Sequence, residues 1–101
     1  MKINNEDYTI TLEDIKLPNG KKLVCREPLV LVVEKEDNLF VVKNPKLGLH
    51  CYEYTKEDLV NEIRKDLQIL WQEYALGRVD DLSPKAIQLK EQLLTFFTEK
   101  D

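Results

Sequence analysis

Leu29-Val30-Leu31-Val32-Val33-Glu34-Lys35-Glu36-Asp37-Asn38-Leu39-Phe40-Val41-Val42 decides the fold, because two aliphatic runs rich in branched residues flank one polar segment. Continuous apolar runs of this length, bounded by turn signals, suit strands buried on both faces. Residues 29–33 and 39–42 are therefore expected to be central strands, with 34–38 linking them. Upstream, Pro28 has no amide proton to give a ladder, so it marks where this hairpin begins. Before it, Ile15-Lys16-Leu17 faces Lys21-Lys22-Leu23-Val24-Cys25 across Pro18-Asn19-Gly20. An Asn-Gly pair accepts the positive φ angles of a tight turn, so a second hairpin is expected. Earlier still, Tyr8, Ile10 and Leu12 alternate with Thr9 and Thr11, the period of a strand with one wet face.

Downstream, Asn44-Pro45-Lys46-Leu47-Gly48 leads into Leu49-His50-Cys51-Tyr52-Glu53-Tyr54, a short segment expected to pair with the sheet. Thr55 is placed to cap a helix, with Glu57 and Asp58 at its positive end. Leu59, Val60, Ile63, Leu67, Leu70, Trp71 and Tyr74 then recur at spacings of three and four, which predicts a helix over 56–76 that stops at Gly77. Ser83 and Pro84 start a second helix, expected over 84–99. Ile87, Leu93, Leu94 and Phe97 give it an apolar face, and Leu89 and Phe96 fall outside that face. Each apolar stripe must be buried against something. The fold class expected is α+β: one domain over 1–101, with a small antiparallel sheet covered on one face by two C-terminal helices.

The composition narrows the function. Of 101 residues, 43% are apolar and 34% charged, a balance too apolar for a disordered chain and too charged for a membrane protein. No apolar run nears the roughly 20 residues that span a bilayer, and the residues after Met1 lack the apolar core of a secretion signal. A cytoplasmic protein is expected. Fifteen basic against nineteen acidic side chains leave a net charge of −4, a poor match to phosphate backbones, so nucleic acid is not the expected partner. Lys16, Lys21 and Lys22 near the first hairpin read as a solvated tip before they read as an RNA contact.

Catalytic signatures are absent from the sequence. Gly20, Gly48 and Gly77 stand alone at turns and open no phosphate-binding pattern, so no nucleotide cofactor is expected. Cys25, His50 and Cys51 are the alternative reading, a small enzyme or ligand site. Neighbours on a strand point to opposite faces, however, which makes His50 and Cys51 a poor nucleophile–base pair. Zinc asks for three or four convergent ligands, so no metal is expected. Both cysteines read as reduced core residues. The carboxylates of Glu13-Asp14, Glu34-Glu36-Asp37 and Asp80-Asp81 lie beside turn signals, where solvated acids are ordinary. Trp71 and Tyr74 sit among leucines at helical spacing, the pattern of a core. Tyr52 and Tyr54 share one face of their strand, and they are the first candidate contact surface.

Residues 31–42, the loop Asn44-Pro45-Lys46-Leu47-Gly48-Leu49 and the helix start Tyr54-Thr55-Lys56-Glu57-Asp58-Leu59 together resemble the HicB-like antitoxin domain, over about residues 29–75. Pro45, Leu47 and Gly48 match that family's loop, and Thr55, Glu57 and Asp58 match its helix start, with Leu59 in place of the usual alanine. The resemblance implies a truncated ribonuclease-H-like sheet crossed by a helix, without catalytic acids, and a role in binding a toxin or forming a dimer. Family members often carry a separate operator-binding module. About 25 residues follow Gly77 here and hold one helix, so DNA binding is not expected. The hairpin over 8–25 lies outside the family pattern. The expected function is thus a non-catalytic protein-binding module with no cofactor. Its partner would be a small basic toxin, and Tyr52, Tyr54, Leu89 and Phe96 are the candidate contacts in a homodimer or with that partner.

Overall fold

The structure, a computed structural model, describes residues 9–101; Tyr8, expected to open the first strand, lies outside them. The described chain is α+β. Strands β1 (Thr9–Thr11), β2 (Ile15–Lys16), β3 (Lys22–Cys25), β4 (Val30–Val32), β5 (Glu34–Glu36), β6 (Leu39–Asn44) and β7 (Leu49–Glu53) precede helix α1 (Lys56–Leu70). A π-helical turn (Trp71–Ala75), a 3-10 turn (Val79–Asp81), helix α2 (Pro84–Phe96) and a final strand β8 (Phe97–Lys100) follow.

The first hairpin forms where the Asn-Gly pair places it, with Ile15 opposite Leu23 and Lys16 opposite Lys22. Within this turn only Gly20 uses the left-handed region, at φ 85. Its N–H donates to Leu17 C=O at 3.1 Å, and Leu17 N–H donates to Lys21 C=O at 2.9 Å. This is a three-residue loop ending on a left-handed glycine rather than a two-residue turn.

The second hairpin corrects the expectation of two central strands. Glu34–Glu36 is itself a strand, paired with β6 (Glu34 opposite Val41, Glu36 opposite Leu39), and the turn is reduced to Asp37-Asn38. Asp37 takes φ 57, a left-handed conformation that a short polar side chain tolerates. The aliphatic run before it pairs elsewhere: Val30, Leu31 and Val32 lie opposite Thr11, Ile10 and Thr9 of β1. Leu31 and Val33 point inward while Val30 and Val32 are 52% and 65% exposed, so this strand is buried on one face only.

Among the described residues three small sheets result in place of one, in the orders β1-β4, β2-β3-β8 and β5-β6-β7. The segment after Gly48 pairs as expected, from Asn44 opposite Leu49 to Phe40 opposite Glu53. Asn44 Oδ1 accepts from Leu47 N–H at 3.3 Å, and Gly48, at φ 72, closes the intervening Pro45–Leu47 turn.

Helix α1 starts on the predicted cap, with Thr55 Oγ1 accepting from Asp58 N–H at 3.1 Å. Leu59, Ile63, Leu67, Trp71 and Ala75 recur at every fourth position, and none is more than 3% exposed. Val60, Leu70 and Tyr74 pack beside them, half-buried. The stripe lies on β6 and β7. Gly77 follows the helix for a steric reason and not a left-handed φ: a Cβ there would stand 2.5 Å from Glu73 C=O.

Ser83 caps α2 as predicted, accepting from Ala86 N–H at 3.2 Å. The helix stops at Phe96, three residues short of the expected end. From there the chain straightens and pairs with β3, Phe97 opposite Cys25 and Glu99 opposite Leu23. Phe97 becomes fully buried by this. Arg26 holds the switch, its N–H donating to Phe96 C=O at 2.8 Å and its Nε to Leu94 C=O at 3.1 Å and Phe97 C=O at 3.2 Å. A cation there satisfies carbonyls that a helix end leaves open.

Helix α2 meets the first helix at its C-terminal end. It packs against the π turn, the Pro45–Leu47 turn and β8. Leu93 is its buried centre, whereas Leu94, expected inside, is 39% exposed. Leu89 and Phe96, expected to face water, are half-buried against the core.

Candidate functional site

The structure does not bring Cys25, His50 and Cys51 together. Both cysteines are free thiols. Cys25 lies on β3, its Sγ 4.0 Å from Leu12 C=O. Burial, then the negative charge of Asp14, pushes this thiol up from its ordinary range. Cys51 is buried on the inner face of β7, its Sγ donating to Asp66 Oδ2 at 3.2 Å. Burial first, then the hydrogen bond and charge of Asp66 and the charge of Glu62, pushes it up to about 12. A thiolate is the nucleophile and the metal ligand, and both thiols stay protonated near neutral pH. His50 faces the other way, exposed, with its ring edge-on to Tyr52 at 6.1 Å between centroids. Among the described residues no group of three His, Cys, Asp or Glu side chains is placed to hold a metal ion.

The aromatic residues divide. Trp71 is 3% exposed, and its Nε1–H donates to Glu99 Oε1 at 2.7 Å, which makes it part of the core. Tyr52 and Tyr54 are 58% and 72% exposed, as their shared strand face suggested. Register puts Glu34, Val41 and Tyr52 in one row across the β5-β6-β7 sheet, with Lys43 opposite His50 nearby. Val30 and Val32, on β4 of a separate sheet, are exposed as well.

Leu89 lines an open groove of about 610 Å³ between α2 and the Pro45–Gly48 loop, together with Lys46, Lys85 and Gln92. Phe96 lies at the far end of α2, its C=O accepting from Arg26 N–H, and does not line this groove. Lys16, Lys21 and Lys22 are exposed, and Lys21 reaches Glu99 at 4.0 Å. The exposure of Val30 and Val32 leaves no signal in the sequence, because residues 29–33 are aliphatic throughout and show no apolar–polar alternation.

Compared with known proteins, the chain matches no family model, no curated protein and no solved structure. Among the described residues no helix is long and apolar enough to cross a membrane.

Proposed function

We propose that this chain is a protein-binding domain that works without turnover, of the HicB-like antitoxin kind, and that it recognises a small basic protein partner. The observation that carries the reading is the exposure of Tyr52 (58%) and Tyr54 (72%), two large aromatic side chains two positions apart, with Val30 (52%) and Val32 (65%) exposed on β4. Apolar side chains scattered singly over a surface need no explanation, but several together on one side of a small domain mark an interaction site. Tyrosine suits such a site, having an apolar ring with a polar tip. The antitoxin part rests on the sequence resemblance over residues 29–75. It is supported by the order hairpin, Pro-Leu-Gly loop, strand and Thr-capped helix over residues 34–70. Chemistry by Cys25, His50 and Cys51 is not proposed, since the two thiols are protonated and the histidine points away from Cys51.

In this reading the protein is cytoplasmic, where its thiols stay reduced, and it forms a homodimer. Val30 and Val32 supply the apolar surface for a second copy. Leu89 and Phe96 supply less than their sequence spacing promised, because both pack inward.

The test is titration calorimetry of the full chain with the short basic protein of a neighbouring reading frame. Tight binding is expected, and a Tyr52→Lys, Tyr54→Lys pair should weaken it at least about tenfold, equivalent to about 1.4 kcal/mol. An unchanged affinity in a folded double variant would remove this face from the interface. No binding by the parent chain would remove the basic-partner reading.

A further inference from the structure

We infer that the free edge of β7 accepts an extended peptide segment as an added strand, and that the segment it takes carries lysine or arginine at every second position. This deepens the protein-binding reading and rests on it. Among the described residues strand β7 pairs with β6 alone, in the order β5-β6-β7. Every second residue of an edge strand turns its N–H and C=O outward, and no backbone hydrogen bond from elsewhere in the described chain reaches Leu49–Glu53. The two edges of this sheet differ. On β5, Glu34, Lys35 and Glu36 are all exposed, the alternating charge that keeps other strands away. Strand β7 carries one formal charge, Glu53, and leaves its tyrosine uncovered.

Charge on either side of β7 identifies the occupant. Asp58, Glu62 and Asp66 repeat at every fourth residue of α1, which places them along one flank of the helix. Asp66 touches Cys51 on the underside of β7, which places this row of carboxylates beneath the strand that forms the edge. Lys65 lies 3.8 Å from Glu62, as an exposed pair; Asp58 and Asp66 have no ion pair among the described residues. On the upper side stand Tyr52 and Tyr54, with Glu34 in the row of Tyr52. Side chains of an added strand would alternate between these two environments. Cations directed to the α1 side would meet the carboxylate row, and apolar residues directed upward would meet the tyrosines. A second copy of this chain is the wrong occupant, because pairing β7 with itself would set two such carboxylate rows together.

Three end-blocked peptides test this against the isotope-labelled full chain by NMR titration: Lys-Val-Lys-Thr-Lys-Val-Lys, the permuted Lys-Lys-Lys-Lys-Val-Thr-Val, and the first peptide N-methylated at alternate residues. The alternating peptide should shift the amides of residues 49–54 and bind about tenfold tighter than the other two, since strand addition depends on backbone bonds as well as charge. An Asp58→Asn, Glu62→Gln variant with an unchanged free spectrum should weaken it about fivefold. Equal affinity for all three peptides, shifts away from residues 49–54, absence of binding at millimolar peptide, or concentration-dependent shifts at 49–54 from self-pairing would each overturn the assignment. If the basic partner protein binds while these peptides do not, the edge assignment falls and the protein-binding reading stands; if neither binds, both fall.

Discussion

Trp71 and Glu99 are joined across 28 positions of sequence by a 2.7 Å hydrogen bond, the buried indole N–H donating to a carboxylate oxygen. The contact ties the end of the first helix to the last strand, which no local feature of either segment announces. Glu99→Ala leaves the indole N–H buried without an acceptor, at a cost of about 1–3 kcal/mol. Glu99→Gln keeps an acceptor and should recover most of the loss. Urea unfolding of the two variants decides it: equal midpoints would mean the hydrogen bond contributes nothing.

Lys90 is the second long-range tie. Its Nζ donates to Ala75 C=O at 2.6 Å and Gly77 C=O at 2.9 Å, closing the negative end of a helix whose own last turn has no basic residue. Lys90→Met keeps the aliphatic stem and removes the charge, so stability should drop by about 1–2 kcal/mol. A variant as stable as the parent in a thermal melt would show that water serves those carbonyls equally well.

Two glycines should answer differently to alanine. Gly20 needs its positive φ, but a Cβ there meets nothing within 4 Å, so Gly20→Ala should cost about 1–2 kcal/mol, the left-handed penalty alone. Gly77→Ala drives a methyl to 2.5 Å from a backbone carbonyl and must displace the helix end. The second substitution is expected to be the more destabilising in urea. The reverse order would mean that the 73–77 turn relaxes freely.

The Cys51 thiol, pushed up to about 12 from an ordinary 9.0, makes stability depend on alkaline pH. Below pH 9 both the folded and unfolded forms hold the proton, so the thiol contributes no slope. Above pH 9 the unfolded chain ionises first and is favoured, and the stability is lost progressively towards pH 12. Cys51→Ala should therefore lose less stability between pH 8 and 10.5 than the parent does. Parallel pH profiles would refute the link. At neutral pH, Cys51 should react slowly with a thiol reagent until the chain unfolds.

Local chemistry wrote part of this fold directly into the sequence. Thr55 and Ser83 cap their helices because a cap needs only a side-chain oxygen and the amides two or three residues on. Gly20 closes its hairpin because a left-handed φ is a property of one residue. The exposure of Tyr52 and Tyr54 followed from a period of two along one strand. Tertiary structure decided the rest. Phe97 through Lys100 continue a helical pattern, yet they become a strand because β3 has an open edge and Arg26 takes up the carbonyls released at Phe96. Val30 and Val32 look like core, but an aliphatic side chain is buried only where another layer exists to cover it, and β4 pairs with β1 in a two-stranded sheet whose outer face stays uncovered there. The carboxylate row of α1 was readable as spacing from residue 58 to 66. Its position under the edge of β7 was not, because that depends on where the buried stripe of Leu59, Ile63 and Leu67 comes to rest.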